Sequence, residues 1–314
     1  ARNFKFVDRT FNLKIDASLR ILQFFLDRLP AAGAADALFV HFEVIPDHLP
    51  PRLKALIAQF PPGVLQLEVG VQSFNVAVQK RISRKQDNVQ TEANLRWLRQ
   101  SSNAHLHADL IFGLPGETLE SFATGFDKLY ELAPHEIQFG ILKRLRGTPI
   151  TRHTVEHAMV YDPQTPYTIL QNSTVDFVAM QRIKRFARYW DMVANSGRFT
   201  RALKVLLGDG SAFNHFLNFS DWLWQVTGKT HEFAHEKLVD FMHDYLVTAR
   251  GFYGLEIQAA LLADYVASGA RGRPQCLAQV LSAQQTASQK TLQHLTQRQA
   301  RHSATKSQLL KIES

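Results

Sequence analysis

Four polar residues stand where buried strands would end, and their types suit a ligand that carries hydroxyl, amine and carboxylate groups. Glu43, Gln72 and Asp109 lie at or near the ends of largely apolar segments, and Arg84 follows the second of these segments. Carboxylates accept hydrogen bonds from hydroxyl and amine groups, often two at once. A guanidinium can bind a carboxylate through two parallel hydrogen bonds. The set therefore predicts a site for a zwitterionic, ribose-bearing ligand.

The strands that would carry these residues are polar on one face. In Leu65–Gln72 the odd positions are aliphatic, whereas the even positions are Gln66, Glu68, Gly70 and Gln72. Side chains alternate along a strand, and a parallel strand covered on both faces is normally apolar throughout. The same alternation assigns further residues to the polar face, namely His41, Glu68, His107 and Gln138. One such strand could be a sheet edge, but four together favour a parallel barrel, or part of one, with a polar interior.

Strand-like and helix-like segments alternate over residues 1–149, which is typical of a parallel α/β fold. Strands are predicted over residues 4–8, 37–43, 65–72, 105–112 and 136–142. Helices are predicted over residues 15–29, 47–60 (with Asp47 as N-cap), 89–100 and 117–132. Beyond residue 149 no strand is predicted, and five helical segments follow over residues 173–195, 211–226, 231–250, 256–268 and 274–301. The expected fold is thus α/β, with a partial (open) TIM-like (β/α) barrel over 1–149 and an all-helical C-terminal domain over 150–314.

Composition limits the class of protein further. The 314 residues are 45% hydrophobic and 11% aromatic, which indicates a globular chain. A membrane span needs about 18 or more apolar residues in a row, and no such run occurs, so no membrane partner is expected. The single cysteine, Cys276, excludes a disulfide framework and a CxxC-type zinc or iron–sulfur site. A reducing, cytoplasmic location is the expectation.

The net charge of +8 is concentrated near the C-terminus. Residues 271–314 contain seven Lys and Arg residues and one acid, Glu313. A basic segment can bind RNA or anionic lipid. The simpler interpretation is a solvated terminal helix rich in Gln and Ser.

Several motifs resemble those of radical S-adenosylmethionine (SAM) enzymes. GVQSFNVAVQKRISRKQDN (residues 70–88) is similar to the segment after the fourth strand of the oxygen-independent coproporphyrinogen III oxidase group. ADLIFGLPGET (residues 108–118) is similar to the fifth-strand motif of that group and of many other superfamily members. FVDRTFN (residues 6–12) and HFEVIPDHL (residues 41–49) resemble the second and third strands of a subgroup that carries a cobalamin-binding domain and an uncharacterised helical C-terminal domain.

The resemblance implies a role for each matching position. Glu43 would contact SAM, Gln72 and Asp109 would bind its ribose, and Arg84 would contact its carboxylate region. Backbone near Leu142 and Lys143 would meet the adenine. The resemblance also implies a [4Fe–4S] cluster that cleaves SAM reductively to methionine and a 5′-deoxyadenosyl radical. In this subgroup it further implies cobalamin, bound by an upstream domain of the same polypeptide.

One feature of the superfamily is missing. The CxxxCxxC loop that ligates the cluster follows the first strand of the family fold, and neither is found in this sequence. Thiolates hold such clusters, so this chain is not expected to bind one. It is expected to be the N-terminally truncated, SAM-binding and substrate half of a radical SAM enzyme. Its own affinity for SAM should be weak, and the sequence identifies no catalytic residue, no metal ligand set and no substrate.

Two alternatives come from other classes of protein. The chain could be a non-catalytic scaffold whose basic tail binds RNA or a protein partner. Alternatively, His231-Glu232-Phe233-Ala234-His235 matches the H-E-x-x-H pattern of zinc hydrolases, which requires both imidazoles one turn apart on a helix. Lysines near both ends of this motif indicate an exposed surface, which favours surface histidines near a helix start over a zinc site.

Overall fold

The computed structural model describes residues 1–7, 10–29 and 38–284 of the chain. Its first part is built on parallel strands that neighbour one another in sequence order. They are β1 (Asn3–Lys5), β2 (Phe39–Val44), β3 (Leu65–Gln72), β4 (His105–Phe112) and β5 (Glu136–Ile141). Parallel neighbours need crossover connections, which are helical here. The helices of this part are α1 (Ile15–Leu26), α2 (Pro51–Ile57), α3 (Val76–Arg81), α4 (Asn88–Ser101) and α5 (Leu119–Glu131). The predicted α/β class with a parallel sheet is confirmed.

Alternation along the strands divides the sheet into an apolar and a polar face. The odd-numbered side chains of β3, from Leu65 to Val71, are almost completely buried, as are Phe42 of β2 and Phe112 of β4. Burial of each such side chain contributes roughly 1.5–3 kcal/mol to folding. The even-numbered residues of β3 remain partly accessible to solvent. One face of the sheet therefore forms the core, and the other is available to a ligand.

The start of α2 differs from the prediction. Pro50, not Asp47, is the N-cap residue of this helix. The carboxylate of Asp47 instead accepts a hydrogen bond from the backbone N–H of Asp87, with Oδ2 and N 2.9 Å apart. Asp87 in turn caps α4 through its own side chain. Asp47 therefore positions the loop that precedes α4.

A small antiparallel hairpin corrects the expectation that strands stop at residue 149. β6 (Val160–Tyr161) pairs with β7 (Ile169–Gln171). Two elements this short carry too little alternation for sequence periodicity to detect. A 3-10 turn over Pro149–His153 precedes the hairpin.

The later part of the described chain is helical. Its helices are α6 (Phe177–Val193), α7 (Thr200–Leu207), α8 (Ala212–Thr227), α9 (His235–Asp244), α10 (Gly254–Ala267) and α11 (Ala278–Gln284). A π-helical turn, Tyr245–Ala249, continues α9, and a 3-10 turn, Gln275–Leu277, precedes α11. Aromatic packing forms part of the core: the rings of Phe186 and Phe213 stack at 4.9 Å, and Phe216 packs edge-on against both Phe186 and Trp190.

The chain divides into two compact units, Ala1–Lys184 and Arg185–Ser314. The division falls within α6, and a domain boundary at residue 149 stays a prediction. Most of the predicted basic terminal helix lies outside the described residues, so its role also stays a prediction. Among the described helices, none combines the length and apolar character that crossing a bilayer requires.

Candidate functional site

The register of the sheet arranges its polar residues in cross-strand rows. Glu43 lies opposite Glu68, Glu68 opposite His107, and His107 opposite Glu136. We call this set (Glu43, Glu68, His107, Glu136) the central row. On its N-terminal side, His41 pairs in register with Gln66, and Gln66 with His105. On its C-terminal side, Gly70, Asp109 and Gln138 are in register. Polar residues of four strands thus share one face.

One cavity brings together the four residues predicted to bind a cofactor. It has a volume of about 100 Å³ and is lined by Thr10, Glu43, Val44, Ile45, Glu68, Gly70, Gln72, Arg84 and Asp109. Of the other residues assigned to the polar face, only Glu68 lines it, while His41, His107 and Gln138 lie outside this lining set. The cavity is in the first compact unit, towards the carboxyl ends of β2 and β3. That end of a parallel sheet is where α/β proteins bind their ligands.

Two buried oxygen atoms in this cavity lack a hydrogen-bond partner within the described residues. They are Asp109 Oδ1 and Gln72 Oε1. A buried polar group without a partner costs several kcal/mol unless a ligand or water satisfies it. Burial, together with the neighbouring carboxylates of Glu68 and Glu43, raises the pKa of Asp109 to about 8. The cavity can therefore bind a ligand that donates hydrogen bonds or carries positive charge.

The backbone at Gln72 is unusual for a residue with a side chain. Its φ is +69°, and the pairing of β3 with β4 shifts register between Gly70 and Gln72. A positive φ costs a non-glycine residue conformational free energy, and such residues occur preferentially at binding and active sites. Register irregularities of this kind redirect side chains next to such sites. Here the irregularity brings the Gln72 carboxamide to the cavity wall.

Arg84 contacts the protein as well as lining the cavity. Its Nη2 donates a hydrogen bond to the carbonyl oxygen of Gly70, and its Nε donates to Gln86 Oε1 at 2.7 Å. Burial lowers the pKa of Arg84, and the nearby carboxylate of Asp47 partly offsets this effect. A guanidinium has five N–H donors. Arg84 is therefore fixed in place while retaining donors that could meet a carboxylate.

A buried carboxyl that the sequence analysis did not single out connects the two motifs of the site. Ser73 donates a hydrogen bond to Glu117 Oε1 at 2.5 Å, and both residues are buried. Burial raises the pKa of Glu117 to about 7, and the Ser73 hydrogen bond opposes this shift. This contact joins the GVQSFN segment to the GLPGET turn. A Glu directly after a Pro-Gly turn was the available signal, but its partner is 44 residues away along the chain.

The backbone near the predicted adenine position is engaged in secondary structure. Leu142 donates its N–H to Phe112 O at 2.9 Å, and its carbonyl accepts from Ile169 N at 2.9 Å. Lys143 forms an isolated bridge with Thr168. An adenine contact at Leu142–Lys143 stays a prediction.

The H-E-x-x-H interpretation is wrong, because the motif does not lie on a helix as a zinc site of this type requires. Residues 231–234 lie outside any helix, and α9 begins only at His235. Glu232 has a φ of +61°, which breaks helical geometry within the motif. The two imidazoles are therefore not one helical turn apart, as a zinc hydrolase of this type needs.

The side chains present fit SAM but not an iron–sulfur cluster. The cavity offers carboxylates and an amide for ribose hydroxyls and for positive charge. A cluster requires several thiolates, whereas the sequence has Cys276 alone. Burial and Asp240 raise the pKa of that thiol to about 12, so it stays protonated.

A family model described as "Protein of unknown function (DUF4080)" matches residues 155–312, about half of the chain. The chain belongs to the DUF4080 family. The DUF4080 chain is also 32% identical over 111 residues to the oxygen-independent coproporphyrinogen III oxidase of Escherichia coli (strain K12). That match covers 35% of this chain and 24% of the relative, so the chain spans about a quarter of the relative's length.

Two solved structures were also found to be similar to the DUF4080 chain. One is described as "Coproporphyrinogen III oxidase (HemN) from Escherichia coli is a Radical SAM enzyme", at 29% identity and a TM-score of 0.35, covering 43% of this chain and 30% of that chain. The other is the cobalamin-dependent S-adenosylmethionine radical enzyme OxsB with aqua-cobalamin and S-adenosylmethionine bound, at 11% identity and a TM-score of 0.45, covering 96% and 51%. The resemblance of the DUF4080 chain to the radical SAM superfamily is confirmed by its sequence relatives.

Proposed function

We propose that residues 1–149 form the SAM-binding part of a radical SAM enzyme, within a partial (β/α) barrel. One observation carries the proposal: the four residues assigned to SAM from sequence motifs line a single cavity. Within the part of the chain that the structure describes, two buried oxygens of that cavity have no partner. A ligand rich in hydroxyl and cationic groups would satisfy both.

The ribose of SAM is proposed to lie against Gln72 and Asp109. Its two hydroxyl groups can donate hydrogen bonds to Gln72 Oε1 and Asp109 Oδ1, the atoms without partners. Each hydrogen bond between neutral groups contributes roughly 0.5–1.5 kcal/mol. The ribose would thereby offset the desolvation penalty of these two oxygens.

The charge of the cavity also suits SAM. Three carboxyl groups, those of Glu43, Glu68 and Asp109, line it together with one guanidinium, that of Arg84. SAM carries a sulfonium and an ammonium group as well as one carboxylate. We propose that Glu43 contacts the cationic part and that Arg84 meets the carboxylate region. A bound cation should also lower the pKa of Asp109 from its raised value.

The reaction of the intact protein is proposed from family resemblance. In radical SAM enzymes a [4Fe–4S] cluster supplies the electron that cleaves SAM. This chain lacks the thiolates to hold that cluster, so its residues are proposed to bind and orient SAM only. Cobalamin bound to an upstream domain of the same polypeptide is a further proposal, based on the motifs at residues 6–12 and 41–49.

Binding of adenosine and SAM to the purified chain tests the proposal. We expect weak binding, with a dissociation constant of about 1 mM, because no cluster anchors the amino acid part of SAM. Saturation-transfer NMR with adenosine should give a signal that 2′,3′-dideoxyadenosine, which lacks both ribose hydroxyls, does not give. Asp109→Ala and Gln72→Ala should abolish the adenosine signal.

Asp209→Ala is the matched control, because Asp209 is exposed and lies in the other compact unit. Equal signals from adenosine and dideoxyadenosine would contradict the assignment of the ribose to this cavity. Adenosine binding that survives both cavity variants would contradict the site itself. Tight, micromolar binding of SAM would show that the chain needs no cluster to anchor it.

A further inference from the structure

A second polar cluster lies on the same face of the sheet, near the starts of β4 and β5. His105 Nε2 is 3.2 Å from Glu136 Oε1, and His107 Nε2 is 3.1 Å from Glu136 Oε2. The potential ligand atoms of these three side chains all lie within 4.8 Å of one another. His105 and Glu136 are buried, while the His107 side chain is 20% exposed. The cluster is therefore compact, largely dry and reachable from solvent.

Local geometry explains why these side chains converge. In His105-Leu106-His107 the two histidines are two residues apart on a strand, so both imidazoles point to the same face. The parallel register then places Glu136 of β5 directly opposite His107. Sites built on strands hold their geometry better than sites built on loops.

We propose that His105, His107 and Glu136 form a binding site for a divalent transition metal, with Zn²⁺ as the best match. Two imidazoles and one carboxylate, with a fourth position open to water, are a ligand set that zinc uses. Ligands about 2.0–2.1 Å from zinc at tetrahedral angles lie about 3.3–3.4 Å apart. The nitrogen–oxygen distances of 3.1 and 3.2 Å, each to a different oxygen of Glu136, are close to that spacing. Small side-chain movements would therefore complete the site.

The surroundings carry both signs of charge. Glu68 is next to His107 in the central row, and its Oε2 lies 2.9 Å from His41 Nε2. On the other side, the ring of His135 stacks on His105 at 4.6 Å, and Arg99 Nη1 lies 2.7 Å from His135 Nε2. Lys5 Nζ also lies 4.0 Å from Glu68 Oε2, so two carboxylates act against one ammonium and one guanidinium. This balance permits a divalent cation whose ligand set includes Glu136.

The proposed metal site is independent of the SAM cavity. None of its three ligands lines that cavity. From the sequence, His107 was predicted only as a residue of the polar face. The available signal was a His-x-His pair on a predicted strand, which alone gives two ligands. The third ligand became evident only from the register of β5.

Zinc titration of the full 314-residue chain tests the inference. The chain is first treated with a chelator and then titrated with ZnCl₂ in a calorimeter. We expect one Zn²⁺ per chain, bound at micromolar concentration or tighter. His107→Ala and Glu136→Gln should each weaken binding by more than about 10-fold, since loss of even an outer-shell partner costs that much. Co²⁺ in place of Zn²⁺ should give visible absorption bands that His107→Ala changes.

His231→Ala is the matched control, because it removes an exposed histidine of the H-E-x-x-H motif. It should leave zinc affinity unchanged. His107→Gln, which keeps a hydrogen-bond donor near Glu136, and circular dichroism of each metal-free variant separate lost binding from lost folding. Absence of stoichiometric zinc binding by the wild-type chain would overturn the inference. So would equal affinity in folded His107→Gln and wild type. Asp109→Ala should bind zinc normally, so this test is separate from that of the SAM site.

Discussion

The carboxyl groups at the two ends of the polar sheet face differ in whether they have partners. At the β5 end of the central row, Glu136 lies between two imidazoles and is 3% exposed. At the β2 end, Glu43 forms no ion pair or hydrogen bond within residues 1–7, 10–29 and 38–284 and lines the cavity. Neighbouring Asp109 has a buried oxygen without a partner in the same ranges. Buried polar groups are normally satisfied, so an unsatisfied set indicates a place prepared for a ligand.

The pKa shifts differ even between two carboxyl groups that line the same cavity. The hydrogen bond from His41 lowers the pKa of Glu68, outweighing the opposing effect of burial. For Asp109 burial dominates, and the carboxylates of Glu68 and Glu43 add to it, so its pKa rises to about 8. One strand apart, two carboxyl groups are thus shifted in opposite directions. Partner availability, rather than depth alone, decides the direction.

The largest expected effect compares the two ends of the central row by leucine substitution. Glu136→Leu should lower the free energy of unfolding by about 2–5 kcal/mol, because it leaves two imidazoles without their carboxylate in a buried environment. Glu43→Leu should change it by less than about 1 kcal/mol, because no hydrogen bond or ion pair within the described residues is lost. Urea unfolding followed by circular dichroism measures both.

Metal-free protein is required for this comparison, since bound zinc would add its own stabilisation. Equal losses in the two variants would show that the ends are not energetically distinct. A loss in Glu43→Leu that exceeds the loss in Glu136→Leu would reverse the interpretation of which carboxylate the fold depends on.

Sequence alone predicted the strands that carry the site better than the contacts within it. Alternation is a local property, so β3 and β4 have the predicted bounds and the polar face follows from them. The short helix α3 and the hairpin of β6 and β7 are too brief to produce a periodic signal. The Ser73–Glu117 contact depends on how two distant segments meet, which periodicity does not encode.

The four cofactor residues illustrate the same limit. Motif spacing named Glu43, Gln72, Arg84 and Asp109, and the structure brings all four to one cavity. The motif spacing did not indicate the positive φ of Gln72 or the hydrogen bond from Arg84 to the Gly70 carbonyl. The positive φ coincides with the register shift between β3 and β4, a feature of strand pairing rather than of composition.

A smaller effect should appear in the pH dependence of stability. Asp109 has a folded-state pKa of about 8, against about 4 when unfolded. Between these values the unfolded chain releases its proton and the folded chain retains it. The wild type should therefore lose stability as pH rises through this window, by at most about 1.4 kcal/mol per pH unit from this group.

Asp109→Asn removes this titration, so its stability relative to wild type should increase from about pH 5 to about pH 7. Urea unfolding at the two pH values gives the difference. Asp209→Asn, at an exposed position, should show no such trend. A constant difference between Asp109→Asn and wild type would mean that Asp109 is ionised throughout and already has a compensating partner.

The smallest expected change in stability comes from adding one methyl group at the cavity wall. A Cβ at Gly70 would lie 2.8 Å from Gln72 Nε2, the end of a flexible side chain that can move aside. Gly70→Ala should therefore change the free energy of unfolding by less than about 1 kcal/mol, since alanine also restricts the unfolded chain. The displaced carboxamide should nevertheless weaken adenosine binding several-fold in the NMR assay. Gly140→Ala is the control, because its Cβ would meet Leu110 O at 3.4 Å and not Gln72. If Gly70→Ala binds adenosine as wild type does, the Gln72 carboxamide does not contact the ligand, and the unpaired oxygen at this end of the sheet needs another explanation.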